Sequence, residues 1–201
     1  LWKYSIKNAE AEAAELQKIM DREGKGEKLE AWDWWYYAEK LRQEKYSLNE
    51  DEIKPYFSQE DVFNGLCTVV NKLYGITLTP CDSISVYNKD VKTYIVKDAD
   101  GSLLGVFYSD YMPRASKRSG AWMSNFREQQ EGVRPLIYNV ASFTKPAGDL
   151  PSLLTIDEAR TMYHEFGHAL HGLLTQCKYK GVSGTSVAQD FVELPSQIME
   201  H

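Results

Sequence analysis

The sequence predicts an α+β fold that is mostly helical, with a small β-sheet beside a long helix near the end of the chain. Apolar side chains recur at helical spacing over residues 5–23, 31–46, 59–73 and 155–177. Between the third and fourth of these stretches the period changes to the alternation that is typical of strands. Residues 98–101, Asp-Ala-Asp-Gly, then form a hairpin turn signal. No internal repeat or low-complexity segment breaks this pattern.

The first three helices define a helical segment that we assign to residues 1–80. The helix predicted over 5–23 has a single apolar stripe formed by Ala9, Ala13, Leu16, Ile19 and Met20. Aromatic rings at helical spacing belong more often to a core than to a ligand platform. We therefore interpret the rings of helix 31–46 as core, namely Trp32, Trp34, Trp35, Tyr36 and Tyr37.

The second segment, residues 81–201, is predicted to hold the sheet and the helices beside it. β-Branched and aromatic residues predict strands over 83–88, 93–97, 103–108 and 134–144. The sheet is expected to cover the following helix, and an exposed edge strand of such a sheet can also hold an extended peptide. Both roles remain open on the sequence alone.

The helix predicted over 155–177 starts with a capping box, because Thr155 is followed three residues later by Glu158. It contains the pattern His164-Glu165-Phe166-Gly167-His168, an HExxH motif. An α-helix places the two histidines about 40° apart around the axis and about 6 Å apart along it, so both imidazoles can reach one metal ion. Glu165 points about 100° away from His164, which suits a general base beside the metal better than a ligand.

A catalytic zinc ion takes three protein ligands and keeps one open position, so a third ligand is needed. We predict Glu193, at the start of a second helix that follows the glycine-containing loop 181–185. The rival is His171, which lies about 20° from His164 in azimuth but about 10 Å away along the helix, a poor fit to one tetrahedral site. Asp190 is predicted to be the N-cap of the second helix. The alternative to all of this is a chance motif on a helix without metal.

These motifs resemble the zinc oligopeptidases typified by thimet oligopeptidase, and most of all the bacterial dipeptidyl carboxypeptidases among them. The runs that resemble the family are HEFGHALHGLL, SGT and DFVELPSQIMEH near the end of the chain, and AWDWWYYAEKLRQEKYSLNEDEIKPYF, VYNKDVKTYIVKDADGSLLGVFYSDYMPR, GAWM and RPLIYNVASFTKP before them. They cover nearly the whole chain in order and spacing, which makes the resemblance far more specific than HExxH alone.

The resemblance implies a zincin-like arrangement within a larger helical peptidase. His164, His168 and Glu193 match the family's zinc ligands and Glu165 its catalytic glutamate, while the loop with Gly184 and Thr185 is implied to approach substrate. The implied activity is release of dipeptides from the C-termini of short peptides. The alternatives are cleavage of internal bonds in short peptides and, from another class, a zinc-binding helical module without catalysis.

Family members are roughly three times as long as these 201 residues, and the residues that stabilise their oxyanion lie beyond the position of His201. We therefore expect an internal piece of a longer enzyme, weakly active or inactive alone, because one oxyanion donor contributes about 10²–10³ in rate. The sequence leaves the oligomeric state and the exact peptide specificity open.

Composition excludes some partners. The net charge of −6 argues against nucleic acid, and no apolar run approaches the roughly 20 residues that span a bilayer. The three cysteines, Cys67, Cys81 and Cys177, give no disulfide framework. We therefore expect a cytoplasmic, reducing compartment, with a secreted or periplasmic parent as the alternative because the first residue is Leu1 rather than methionine.

Overall fold

The computed structural model describes residues 2–24, 26–47, 50–146, 148 and 150–201, with only the backbone of Glu50 and Asp51. The predicted segment 1–80 thus includes four positions outside the described residues, Leu1, Lys25, Leu48 and Asn49. The contacts group the chain into two compact units, Leu1–Ile53 and Lys54–His201.

The first unit is built on a pair of helices. α1 (Trp2–Arg22) packs against α2 (Trp34–Tyr46), and the short α3 (Glu50–Ile53) follows. The second half of the apolar stripe predicted for α1 forms the contact, which buries Leu16, Ile19, Met20 and, from α2, Tyr37. The first half does not, because Ala9 is exposed and Ala13 is only partly buried.

The aromatic residues around α2 divide between the inside and the outside of this unit. Tyr37 is buried and Trp34 packs against the buried cluster. Trp32, Trp35 and Tyr36 are 79%, 82% and 55% exposed. The prediction of core positions is therefore wrong for these three residues. The contact with α1 buries only one stripe of α2, and Trp32 lies before this helix begins.

The second unit joins three α-helices to a five-stranded sheet. Its helices are α4 (Gln59–Tyr74), α5 (Ile156–Leu174) and α6 (Leu194–Glu200), with 3₁₀ turns at Lys54–Tyr56 and Lys180–Val182. Its strands are β1 (Thr77–Pro80), β2 (Lys92–Lys97), β3 (Leu103–Asp110), β4 (Trp122–Arg127) and β5 (Leu136–Val140). The predicted α+β class is confirmed.

The strands follow the spatial order β1-β2-β3-β5-β4, so β4 is an edge strand. β3 and β5 are parallel, and the other neighbours are antiparallel. The predicted hairpin joins β2 to β3, with Gly101 at a φ of 84° in its turn. α5 lies on one face of this sheet, where the rings of Phe107 and Phe166 meet edge to face with centroids 5.1 Å apart.

The structure corrects three predictions about strands. Residues 83–88 form turns and bends rather than a strand, because β1 takes the position beside β2 that they would need. In this segment the hydroxyl of Tyr87 donates a hydrogen bond of 2.8 Å to Asp110. β1 and β4 were missed, and the strand predicted over 134–144 is limited to β5.

The grouping of contacts also differs from the predicted segments. α4 packs against β1 and α5, so residues 54–80 group with the sheet and not with α1 and α2. A domain boundary of the whole protein at residue 80 stays a prediction. None of the helices in the described part of the chain is long and apolar enough to cross a membrane.

Candidate metal centre

The helix that carries the HExxH motif begins as the sequence predicts. Thr155 Oγ1 accepts a hydrogen bond of 3.1 Å from the backbone N–H of Glu158, and the Glu158 carboxylate accepts one of 2.8 Å from the backbone N–H of Thr155. This capping box fixes the first turn of α5. The apolar stripe of the helix, which includes Met162, Phe166, Ala169, Leu170 and Leu173, is buried against the sheet and α4.

His164 and His168 lie side by side on the remaining surface of α5. Their ring centroids are 5.0 Å apart and their planes are nearly perpendicular. The Nε2 atom of each ring lies 3.2 Å from Oε2 of Glu193. Among the described residues, these three form the group whose donor atoms all lie within 4.8 Å of one another. The structure therefore brings the three predicted ligands together.

A glycine permits the approach of the two helices that supply these donors. A Cβ atom on Gly167, inside the motif, would lie 2.6 Å from the carbonyl oxygen of Pro195 and 2.6 Å from Cα of Ser196. The backbones of α5 and α6 are thus in direct contact one residue before His168. Glu193, just before α6, reaches both histidines because of this contact.

The Glu193 carboxylate is held by its own helix. Ser196, which is fully buried, donates a hydrogen bond of 2.7 Å from its hydroxyl to Oε2 of Glu193. This bond, together with the nearby His168 and His164, lowers the pKa of Glu193 although partial burial opposes it. The carboxylate therefore stays ionised, as a metal ligand must.

Glu165 lies beside the group but is not a member of it. Glu165 is a buried residue, with 8% of its surface exposed, whereas Glu193 is only partly buried and its side chain is 47% exposed. Burial raises the pKa of Glu165; the charge of His164 and the backbone amide of Met123 on β4 act to lower it, and Glu193 acts to raise it. The contact with Met123 places this carboxylate next to the edge strand of the sheet.

His171, the rival ligand, does not join the other two histidines. It lies near Phe191, with ring centroids 6.1 Å apart, and its Nδ1 atom is buried without a hydrogen bond to any described residue. Asp190 is not an N-cap, because α6 starts only at Leu194 and Glu193 occupies the capping position. Pro195 in the first turn fits the later start, since proline is favoured there.

The loop between α5 and α6 lies beside the sheet. Gly184 has a φ of 54° and packs so closely on α5 that its Cβ would lie 3.2 Å from Cα of Gly172. Gly184 and Thr185 line a small cavity together with Met123 and Asn125 of β4. Their predicted contact with substrate stays a prediction.

Sequence reasoning missed one side chain that contacts the centre and one that holds the loop after α5. Glu200, at the end of α6, lies 2.7 Å from Nδ1 of His164. Its only signal in the sequence is that it follows Glu193 by seven residues, a spacing that puts two side chains on nearly the same face of a helix. Gln129 exchanges two hydrogen bonds of 2.9 Å with the backbone of Cys177, anchoring the loop that follows α5. No sequence pattern indicates this contact.

The chain is similar to known peptidases over almost its whole length. The sequence model of Peptidase family M3 matches residues 1–201. The dipeptidyl carboxypeptidases of Salmonella typhimurium and Escherichia coli are 46% and 44% identical to it over 94% and 96% of the chain. Oligopeptidase A of Escherichia coli is 39% identical over 96% of the chain. The chain spans 28% to 29% of the length of these relatives.

The family match and the identities confirm the resemblance that the sequence motifs indicated. The capping box, the HExxH helix and the meeting of its two histidines with Glu193 agree with that assignment. This chain belongs to Peptidase family M3.

Proposed function

We propose that this chain carries the catalytic centre of a zinc-dependent peptidase, in which His164, His168 and Glu193 bind one zinc ion. The observation that supports it most directly is the convergence of two imidazole nitrogens and one carboxylate oxygen within 4.8 Å of one another. Three such donors, with a fourth position left open, are the ligand set of catalytic zinc.

The distances between the donors fit this ion. Zinc bonds to nitrogen and oxygen are about 2.0–2.1 Å long, so two ligand atoms of a tetrahedral site are about 3.3 Å apart. The two distances from Nε2 of His164 and of His168 to Oε2 of Glu193 are both 3.2 Å. Nitrogen and carboxylate donors together also suit zinc better than magnesium or calcium, which prefer oxygen alone.

Glu165 is the general base of the proposed reaction. When bound, zinc supplies a Lewis acid that polarises a carbonyl oxygen and lowers the pKa of water. A water molecule that attacks a peptide carbonyl must lose a proton, and the Glu165 carboxylate takes it and then returns it to the leaving amine. Burial raises the pKa of Glu165, which favours uptake of a proton by this carboxylate.

The proposed substrates are short peptides from which dipeptides are released at the C-terminus. The basis is the 44% to 46% identity to two proteins named dipeptidyl carboxypeptidase. Cleavage of internal bonds is the second candidate, because relatives named oligopeptidase A are 39% identical. The two modes differ in whether the free carboxylate of the peptide is needed.

A pair of peptides that differ only at the C-terminus tests the function and separates the two modes. The zinc-loaded full-length protein is incubated with an N-terminally blocked hexapeptide that ends in a carboxylate or in an amide. We expect dipeptides from the free-carboxylate peptide and little cleavage of the amide. Equal cleavage of both favours the internal mode, and cleavage of neither contradicts the peptidase function.

A further inference from the structure

We propose that Glu200 is a positioning residue that holds the His164 ring so that its Nε2 atom points at the metal. The inference rests on the proposed zinc site and adds a residue to it. Glu200 Oε2 lies 2.7 Å from Nδ1 of His164, while Nε2 of the same ring lies 3.2 Å from Glu193 Oε2. The two nitrogens of one ring thus meet two different carboxylates.

This arrangement selects one tautomer of His164. A neutral imidazole carries its proton on one nitrogen and a lone pair on the other, and a carboxylate accepts a hydrogen bond. Glu200 therefore favours the proton on Nδ1 and leaves the lone pair of Nε2 for the metal.

The α6 region supplies both carboxylates because of its helical period. Seven residues correspond to nearly two full turns, so Glu193 and Glu200 lie on nearly the same side of the helix, about 10 Å apart along its axis. Glu193 sits at the N-cap and Glu200 in the last turn. The close approach at Gly167 brings this side against α5.

The two histidine ligands are held unequally. Nδ1 of His168 is buried and has no hydrogen-bond partner in the part of the chain that the structure describes. Only His164 therefore has a described acceptor that fixes its ring. The other Glu200 oxygen lies 3.6 Å from Nδ1 of His201, a residue whose side chain is 68% exposed, so it offers weak competition.

Zinc affinity and the Nδ1 proton of His164 test the proposal. The full-length protein is titrated with zinc against a chromophoric chelator, as wild type, Glu200→Ala, Glu200→Gln and the control Glu131→Ala. Glu131 is an exposed glutamate in the turn after β4. Loss of the partner of a ligating histidine typically weakens metal binding about 10–100-fold. We expect this loss in Glu200→Ala, a smaller one in Glu200→Gln, which keeps an acceptor oxygen, and no change in the control.

The NMR signal of the hydrogen-bonded Nδ1 proton of His164 in the zinc-loaded protein gives a second measurement. We expect it in the wild type and in Glu200→Gln, and expect Glu200→Ala to lose it while circular dichroism shows a folded chain. Zinc affinity within about twofold of wild type in Glu200→Ala would overturn the positioning role and leave the zinc site intact. Absence of zinc binding by the wild type would overturn both. If Glu200→Ala fails to fold, Glu200→Leu takes its place, because it keeps much of the side-chain volume but has no acceptor oxygen. Wild-type zinc affinity together with a retained Nδ1 proton signal in Glu200→Leu would also overturn the role.

Discussion

Glu165 differs from Glu193 in the properties that separate a base from a ligand. Glu193 is half exposed and its pKa is lowered, mainly by its bond to Ser196, whereas Glu165 is buried and its pKa is raised. A ligand must be ionised, and a base must be able to take up a proton near neutral pH. The two carboxylates are therefore suited to different parts of one reaction.

Replacing Glu165 with Gln separates catalysis from metal binding. We expect peptide hydrolysis to fall by about 10²–10⁴, because the proton acceptor is lost while size and shape are kept. Zinc should stay bound, since Glu165 is not among the converging donors. Steady-state kinetics and elemental analysis measure the two properties, with Glu131→Gln as the control. Loss of zinc together with activity would show that Glu165 is a ligand.

Replacing Gly167 with alanine tests the contact between α5 and α6, because it adds a single Cβ atom between them. An added Cβ would meet the backbone of Pro195 and Ser196 at 2.6 Å, and backbone cannot move aside as a side chain does. We expect Gly167→Ala to destabilise the fold by about 1–3 kcal/mol, more than the gain of up to about 1 kcal/mol from helix propensity, and to weaken zinc binding by displacing Glu193.

Gly181→Ala is the matched control, because nothing lies within 4 Å of its Cβ position and its backbone is not in the left-handed region. Thermal unfolding and zinc titration should leave this control near wild type. Wild-type zinc affinity in Gly167→Ala would mean that the approach of the two helices does not set the position of Glu193.

At the scale of the elements, the end of α5 is held by one arginine. Arg134 donates to the carbonyl oxygen of Leu104 on β3 at 2.7 Å, to that of Thr175 at 3.1 Å and to that of Leu173. The bonds to Leu173 and Thr175 satisfy carbonyl groups that the end of α5 leaves without partners. They also tie the metal-bearing helix to the sheet.

We expect Arg134→Met to lower the free energy of unfolding by about 2–4 kcal/mol, because charge-assisted bonds are lost and buried carbonyl groups remain unpaired. Urea unfolding measures this change. Arg160→Met is the control, since Arg160 is an exposed residue of α5. An equal effect of the two substitutions would show that the bonds from Arg134 contribute nothing specific.

The loop after β3 is anchored by a buried carboxylate. Asp110 accepts two hydrogen bonds from Arg114, of 2.8 and 2.9 Å, one of 2.8 Å from Tyr87 and one of 3.0 Å from Lys117, whose side chain is only 2% exposed. Burial acts to raise the pKa of Asp110, but the bonds from Arg114, Tyr87 and Lys117 outweigh it, so the pKa is lowered. Asp110→Asn should destabilise the fold by about 3–5 kcal/mol, because it removes the carboxylate that balances the buried charge of Lys117 and leaves this ammonium group only backbone carbonyl acceptors.

The lowered pKa of Asp110 also makes the free energy of unfolding depend on pH. A carboxylate with a lower pKa in the folded state adds stability above its unfolded value, near 3.9, and that contribution is lost as pH falls through the folded value. Asp110→Asn should therefore lose stability less steeply than wild type does as the pH falls below about 4. Urea unfolding at several pH values measures the slopes, with the exposed Asp82→Asn as control. Parallel slopes for Asp110→Asn and wild type would contradict this assignment.

At the scale of the whole molecule, the sequence predicted the features that depend on local chemistry. Each of these features depends on residues that are close in the sequence. They are the capping box and apolar period of α5, the turn at 98–101 and the helical spacing of His164 and His168. The features that the sequence did not predict depend on contacts between residues far apart in the chain. Residues 83–88 have a strand pattern, but β1 takes the place beside β2.

The same limit applies to the candidate site. The sequence predicted that Glu193 would meet the two histidines, because a helix hairpin can bring it there, and the structure brings the three together. It did not predict that Glu200 contacts His164, because that depends on how α6 is rotated against α5. That rotation depends on packing at Gly167, which a list of motifs does not describe.

We propose that one zinc ion is held by His164, His168 and Glu193. Elemental analysis of the purified full-length protein, beside His164→Ala and Glu193→Ala variants that are checked for folding, tests it most directly. We predict about one zinc per chain in the wild type and a large loss in both variants, because each removes one of three donors. A folded wild type without zinc, or variants that keep the full zinc content, would show that these three residues do not form a zinc site.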